Sequence, residues 1–99
     1  MGRLRDRVVC ITGASAGIGA ACARAFAAEG SRVLAVARRI DRLHAMEAEL
    51  LAAGATGFHA VGLDVRDAEE VAVAFGALPE DWRAVEILIA NAGPVSYTH

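Results

Sequence analysis

Four short, mainly apolar runs predict four buried β-strands. They span residues 8–11, 32–37, 58–63 and 86–90. Runs of this length that are apolar at nearly every position are typical of parallel strands covered on both faces. Between them, apolar residues recur every three or four positions, which is the spacing of amphipathic helices. The pattern therefore predicts strands and helices alternating in an α/β domain.

Three helices are predicted between these strands. The first begins at Ala16 and is rich in alanine, the residue with the highest helix propensity, and Gly30 is placed to cap its end. The second spans residues 40–53. The third is predicted to have Asp67 as its N-cap, with Glu70 three residues later completing a capping-box pair. Each crossover between parallel strands is expected to be right-handed, which places the second strand beside the first.

The turn between the first strand and the first helix is rich in glycine. Gly13 is expected to permit a tight turn, Gly17 to let the backbone approach a pyrophosphate, and Gly19 to let helix and strand pack closely. The unpaired N–H groups of a helix N-terminus favour phosphate, and Ser15 adds a hydroxyl donor. A strand before the glycines and a helix after them favour a dinucleotide site over an ordinary Gly/Ser loop.

The end of the second strand bears on the type of dinucleotide. A site for NAD needs an acidic side chain there to accept hydrogen bonds from the ribose 2′-OH, whereas this chain has Ala37, Arg38 and Arg39. A guanidinium pairs with a 2′-phosphate bidentately, and a carboxylate would repel it. NADP(H) is therefore predicted over NAD(H), with Arg38 the stronger candidate. The alternative is that both arginines are solvated residues at a helix start.

Three motifs together resemble the short-form branch of the short-chain dehydrogenase/reductase family. In the family's order and at about its spacing, they are Thr12-Gly13-x-x-x-Gly17-x-Gly19, Leu63-Asp64-Val65 and Asn91-Ala92-Gly93. The resemblance covers residues 4–93. It implies an α/β fold with a three-layer, Rossmann-type doubly wound parallel sheet, truncated after about four strands in the order 3-2-1-4. A ligand is expected where the strand order reverses, between the first and fourth strands.

The resemblance also implies which residues contact the cofactor. The Asp64 carboxylate is expected at the adenine amino group with Val65 beside the ring, although a loop or capping carboxylate is the alternative for Asp64. Ala92 and Gly93 are expected near the adenosine ribose, with Asn91 bracing the central strands. The full predicted set is Gly13, Ser15, Ala16, Gly17, Ile18, Gly19, Arg38, Arg39, Asp64, Val65, Asn91, Ala92 and Gly93.

By the same resemblance, the protein is expected to be an NADP(H)-dependent oxidoreductase acting on a small-molecule alcohol or carbonyl. Family members continue through a catalytic Ser and a Tyr-x-x-x-Lys pair, whose Tyr is the general acid toward the carbonyl. Tyr97 does not fit this role, because no Lys lies four residues on. No catalytic residue is therefore assigned, and the 99-residue chain itself is expected to be inactive. The alternative is a non-enzymatic NAD(P)-sensing module that keeps the loop without the catalytic groups.

Composition narrows the class of protein and the kinds of partner that are expected. Apolar residues make up 56% and the net charge is −2 with both signs interspersed, which argues against a disordered chain and against nucleic acid as a partner. No apolar run is long enough for a membrane span or a signal core, so no membrane partner and a cytoplasmic location are expected. Cys10 and Cys22 lack metal-ligand spacing and are expected to be buried small hydrophobes rather than a disulfide, a reactive thiol or a metal site. A homo-oligomer is expected for the full-length protein, because dimers and tetramers are common in the resembled family.

The last six residues are predicted to be translated from a sequencing adaptor and not from the gene. Residues 94–99 read Pro-Val-Ser-Tyr-Thr-His. The transposon-end sequencing adaptor CTGTCTCTTATACACATCT contains GTC TCT TAT ACA CAT, which encodes Val-Ser-Tyr-Thr-His, and its first two bases complete a Pro codon. Residues 1–93 are therefore expected to be the N-terminal part of an NAD(P)-binding Rossmann domain, and residues 94–99 a non-native tail. A natural tail is the alternative.

A long genomic read prepared without a transposon-adaptor step tests this interpretation. We expect the reading frame to depart from the present sequence after Gly93 and to encode a Ser and a Tyr-x-x-x-Lys further on. Genomic DNA that encodes residues 94–99 and then a stop codon would refute both the adaptor origin and the enzyme interpretation of this chain.

Overall fold

Strands and helices follow one another along the chain in the predicted order, with one additional helix before the last strand. The computed structural model describes residues 4–15 and 17–90. In chain order the elements are β1 (Val8–Thr12), α1 (Gly17–Ala28), β2 (Arg32–Ala37), α2 (Ile40–Ala53), β3 (Gly57–Gly62), α3 (Ala68–Gly76), α4 (Glu80–Arg83) and β4 (Val85–Ile89).

The four strands form one parallel sheet in the order β3-β2-β1-β4, which confirms the predicted order. Val33 of β2 lies between Val9 of β1 and Phe58 of β3. The pairing of β1 with β4 shifts register between Val8 and Val9. Because all four strands are parallel, their carboxyl ends lie at the same edge of the sheet, which we call the carboxyl edge.

Helices cover both faces of the sheet. On one face, alternate residues of the central strands, including Val9 and Val33, pack with Leu43 and Leu50 of α2 and with the alanines of α1. On the other face, Cys10 and Leu34 belong to a second cluster that α3 and α4 cover. Successive strand residues point to opposite faces, so β1 and β2 are buried on both sides. The predicted three-layer, doubly wound arrangement is confirmed.

The first two helices end in the same backbone motif. After α1, Gly30 has φ 83° and its N–H donates to the Ala27 carbonyl, while the Ser31 N–H donates to the Phe26 carbonyl. After α2, Gly54 has φ 130°, and its N–H and that of the next residue donate to carbonyls in the last turn of α2, which is the same pair of bonds. These are Schellman motifs, in which glycine supplies the left-handed conformation. The predicted cap at Gly30 is confirmed.

The segment before β4 differs from the prediction. Residues 80–83 form a single helical turn, α4, that apolar spacing cannot indicate because four residues carry no periodicity. Pro79 precedes this turn, and the Arg83 Nε donates to the Leu78 carbonyl at 2.9 Å, which ties α4 to the residues that follow α3. Trp82 is 8% exposed and packs in the second cluster.

Both cysteines are free. Cys10 is fully buried in β1, and burial raises the pKa of its thiol to about 11. Cys22 is half-buried and packs against the first cluster. Cys10 therefore stays neutral near pH 7 and acts as a small apolar side chain, as predicted. Within the described ranges, no helix has the length and apolar character needed to cross a membrane.

Candidate nucleotide-binding site

Three loops meet at the carboxyl edge of the sheet, and backbone hydrogen bonds hold them together. The Ala14 N–H donates to the Val36 carbonyl at 3.2 Å, which joins the β1–α1 loop to β2. The Leu63 N–H donates to the Ala37 carbonyl at 3.0 Å, which joins the end of β3 to the end of β2. Residues that follow β1, β2 and β3 therefore lie side by side, in the place where doubly wound sheets bind ligands.

The glycine loop takes a conformation that suits glycine. Gly13 and Gly17 have φ angles of 65° and 58°, in the left-handed region that side chains with a Cβ rarely adopt. Among the described residues, and apart from its chain neighbours and its own helix backbone, a Cβ built on Gly17 would meet no heavy atom within 4 Å, so the space beside its Cα is open there. Helix α1 begins at Gly17, and the first N–H groups of a helix have no partner within it. An open, positively polarised backbone surface results.

Neighbouring residues of the loop are divided between core and solvent. Ala14 and Gly19 are buried, Ser15 is half-buried, and Ile18 is 73% exposed. The burial of Gly19 fits its predicted part in close packing of helix and strand. Ala16 lies outside the described residues.

The two arginines after β2 differ in their surroundings. Both are exposed. The Arg39 Nε lies 3.7 Å from Asp41 Oδ1, a long ion pair between exposed groups. Among the residues that the structure describes, the Arg38 side chain has no hydrogen bond or ion pair, so its guanidinium is available to an anion.

Asp64, directly after β3, is held by Arg66. Its Oδ1 accepts from the Arg66 backbone N–H at 2.9 Å and from Arg66 Nε at 3.0 Å, and its Oδ2 accepts from Arg66 Nη2 at 2.9 Å. These hydrogen bonds, with a smaller attraction from Arg38, lower the pKa of Asp64 to about 2. The carboxyl group is therefore ionised throughout the neutral range.

The capping pair at the start of α3 is only half as predicted. Asp67 Oδ1 accepts from the Glu70 N–H at 3.0 Å, which confirms Asp67 as the N-cap. The reciprocal bond to the Asp67 N–H is absent, because that N–H already donates to the Asp64 carbonyl at 3.0 Å. Glu70 Oε1 accepts instead from the Asp64 N–H at 2.9 Å. The expectation of a closed capping box is therefore wrong, and Glu70 fixes the β3–α3 loop.

The structure brings most of the predicted binding residues to one edge. Gly13, Gly17, Arg38, Asp64 and the 37%-exposed Val65 all follow the carboxyl ends of adjacent strands. The predicted residues Asn91, Ala92 and Gly93 lie outside the described residues.

Arg66 was missed by the sequence reasoning. An Asp followed two residues later by an Arg, immediately after a strand, is a weak signal of such a side-chain turn. The fork of two bonds becomes visible only once the loop conformation is known.

These groups fit the phosphate-bearing parts of a dinucleotide. The N-terminus of α1 and the open space at Gly17 suit a pyrophosphate, because N–H groups and the helix dipole favour negative charge there. The guanidinium of Arg38, which has no hydrogen bond or ion pair among the described residues, suits a second, separate phosphate.

The backbone at Gly17 predicts a specific stability difference. Gly17→Ala is expected to lower the free energy of unfolding by about 1 kcal/mol, since the cost comes from the left-handed conformation and no clash adds to it. Urea unfolding of the protein expressed from its complete reading frame measures this change.

Gly76→Ala is the matched control, because a Cβ there likewise meets nothing within 4 Å in the described part of the chain, while the residue ends a helix. This variant is expected to be neutral or up to about 1 kcal/mol more stable. Equal stability of the two variants would contradict the role of the left-handed backbone at Gly17.

Comparison with known proteins agrees with the fold. Residues 7–98 match the family model of the short chain dehydrogenases. The chain is 44% identical over 86 residues to the "Probable NADP-dependent dehydrogenase in aabA 3'region" of Dichelobacter nodosus, covering 87% of this chain and 77% of that protein. It is 42% identical over 85 residues to serine 3-dehydrogenase of Agrobacterium fabrum, covering 86% of this chain and 32% of that protein.

A solved structure shows the same architecture. L-sorbose reductase of Gluconobacter frateurii, in complex with NADPH and L-sorbose, superposes with a TM-score of 0.85 at 35% identity, over 100% of this chain and 37% of that one. The chain thus spans about a third of the length of this reductase and of the serine dehydrogenase. The family match, the relatives and the strand order together show that the chain belongs to the short-chain dehydrogenase/reductase family.

Proposed function

We propose that the protein is an NADP(H)-dependent oxidoreductase that interconverts an alcohol and a carbonyl compound. The observation that carries this proposal is the exposed Arg38 guanidinium, which has no hydrogen bond or ion pair among the described residues and lies at the carboxyl edge beside the glycine loop. An arginine in that place favours a 2′-phosphate over a free 2′-OH.

The phosphate end of the cofactor would be held mainly by backbone. The open space beside Gly17 would take the pyrophosphate at the N-terminus of α1, where Ser15 offers a hydroxyl donor. Gly13 permits the tight turn, and the buried Gly19 permits close packing of helix and strand. Ala16 and the exposed Ile18 complete this loop in the proposed site. When bound, the nicotinamide supplies a hydride to the substrate carbonyl carbon or accepts one from the alcohol.

The adenosine end would be held by side chains from three loops. Arg38 pairs with the 2′-phosphate, while Arg39 is the weaker candidate because Asp41 already lies within ion-pair distance. Asp64 faces the adenine amino group and Val65 the ring. The proposed site also includes Asn91, Ala92 and Gly93, which follow β4 in the sequence.

The relatives support the choice of cofactor. The Dichelobacter protein is named NADP-dependent, and the Gluconobacter reductase was solved with NADPH. Both are similar to this chain across the segment that contains the glycine loop and Arg38. The Gluconobacter reductase and the Agrobacterium dehydrogenase are named for different substrates, L-sorbose and serine, and the name of the Dichelobacter protein gives none. The proposal is therefore limited to a small-molecule alcohol or carbonyl.

We also propose that residues 1–93 are the N-terminal part of the cofactor-binding domain and that residues 94–99 are adaptor translation. The codon match of the tail supports this boundary. The family match runs to residue 98 and does not itself mark a boundary at Gly93. The catalytic Ser and Tyr-x-x-x-Lys would then be encoded further along the natural reading frame.

Replacing Arg38 tests the cofactor choice. Arg38→Asp is expected to weaken NADPH binding by about tenfold or more, because a charge-assisted bond to the 2′-phosphate is replaced by repulsion. NADH binding is expected to change little, since the new carboxylate can accept from the ribose 2′-OH. Nucleotide fluorescence titration of the protein from its complete reading frame gives both dissociation constants.

Arg7→Asp is the control for net charge. Arg7 precedes β1 at the opposite edge of the sheet, where it is exposed and lies 3.5 Å from Glu86. This variant is expected to leave the NADPH-to-NADH preference unaltered. An unaltered preference in Arg38→Asp as well would contradict the proposed role of Arg38.

A further inference from the structure

The feature that the proposed site leaves without a role is the guanidinium of Arg66. We propose that Arg66 determines cofactor specificity by charge compensation: its ion pair with Asp64 removes the repulsion that this carboxylate would exert on a 2′-phosphate bound at Arg38. The inference rests on the proposed function, because it concerns the same adenosine-binding edge.

Arg66 and Asp64 form a pair of defined geometry. Both guanidinium bonds run side by side, from Nε to Oδ1 at 3.0 Å and from Nη2 to Oδ2 at 2.9 Å. The Arg66 N–H adds a third bond to Oδ1 at 2.9 Å. Fork-shaped pairs of this kind are more specific in orientation than a single contact. The cation is thus held on the carboxylate and not merely near it.

The pair lies within electrostatic reach of Arg38. The hydrogen bond from Leu63 to Ala37 joins the two residues that directly precede Asp64 and Arg38. The attraction of Arg38 contributes to the lowered pKa of Asp64, as expected for two opposite charges at neighbouring strand ends. An anion bound to Arg38 would therefore also experience the charge of Asp64.

The charges at this edge explain why a second cation is useful. Arg38 and Asp64 together carry no net charge, while a phosphate monoester carries between one and two negative charges at pH 7. Protonation does not relieve the repulsion, since the pKa of Asp64 lies near 2. Adding Arg66 leaves one net positive charge among the three side chains, which favours a 2′-phosphate over a neutral 2′-OH.

The pairing leaves Asp64 able to bind adenine. Oδ1 accepts two hydrogen bonds from Arg66, whereas Oδ2 accepts one. A carboxylate oxygen has two lone pairs, so Oδ2 retains acceptor capacity for an amino group. Glu70 holds the same loop by accepting from the Asp64 N–H, so the loop has a support that does not depend on Arg66.

The test compares two small ligands that share adenosine and differ in the 2′-phosphate: 2′,5′-ADP and 5′-AMP. Their dissociation constants are measured by calorimetry on the protein from its complete reading frame, at low salt because screening weakens exposed charges. Arg66→Met is expected to lower the preference for 2′,5′-ADP over 5′-AMP by about fivefold. Equal losses for both ligands would show that Arg66 only positions the loop and would overturn the proposal.

A second variant separates charge compensation from direct contact with the phosphate. In the double variant Asp64→Asn with Arg66→Met, the uncompensated carboxylate is gone, so the preference for 2′,5′-ADP is expected to return to near the wild-type ratio. A preference that stays low in the double variant would mean that Arg66 itself binds the phosphate, which would overturn compensation as its role. The ratio is the readout, because any loss of adenine contact affects both ligands alike.

Arg24→Met is the matched control. It removes one positive charge and breaks an exposed pair of similar length, 2.8 Å from Arg24 Nε to Glu49 Oε2, between α1 and α2. Its ligand ratio is expected to equal that of the wild type. If the wild-type protein binds neither ligand, the proposed function fails and this inference with it. If the wild type prefers 2′,5′-ADP and Arg66→Met keeps the full preference, only the inference fails.

Discussion

The parallel pairing of β1 with β2 is the constraint on which the remaining structure depends. Val9 and Val33, paired across these strands, are fully buried, and the alternate residues Cys10 and Leu34 are buried on the opposite face. Parallel strands can be joined only by a crossover, so the chain must leave β1 at the carboxyl edge and return through α1. The loop that makes this departure is the glycine loop, and the same step places the N-terminus of α1 at the candidate site.

The charged residues at the two edges of the sheet differ in their ion-pair partners. At the opposite edge of the sheet, where the strands begin, Arg32 Nη2 lies 2.9 Å from Asp81 Oδ2. Arg32 Cζ lies 4.2 Å from the centre of the Trp82 ring. These two contacts fix α4 on the sheet. Arg7 has Glu86 as its partner there. At the carboxyl edge, Arg66 is paired with Asp64, while Arg38 lacks such a partner within the described ranges. An unpaired cation beside a polarised backbone loop is an arrangement suited to an anionic ligand.

Sequence patterns predicted the order and type of the strands and helices better than the residues at which they begin and end. The bounds of β2 and α2 agree with the prediction, because charged residues and Gly54 mark where each element stops. The bounds of β1, β3 and β4 differ by a residue, since the last bonds of a ladder depend on the neighbouring strand. Helix α4 escaped prediction because it is stabilised by tertiary contacts of Trp82 and not by periodicity. The pairing of Asp64 with its partner was not predicted either, because a turn in which a side chain accepts from the backbone depends on the conformation of the loop.

A crystal structure of the protein from its complete reading frame with NADP⁺ would show whether the carboxyl edge binds NADP(H). We expect the pyrophosphate against the N–H groups at the start of α1, beside Gly17, and the 2′-phosphate within hydrogen-bond distance of the Arg38 guanidinium. A nucleotide bound elsewhere, or one whose 2′-phosphate points away from Arg38 into solvent, would contradict it.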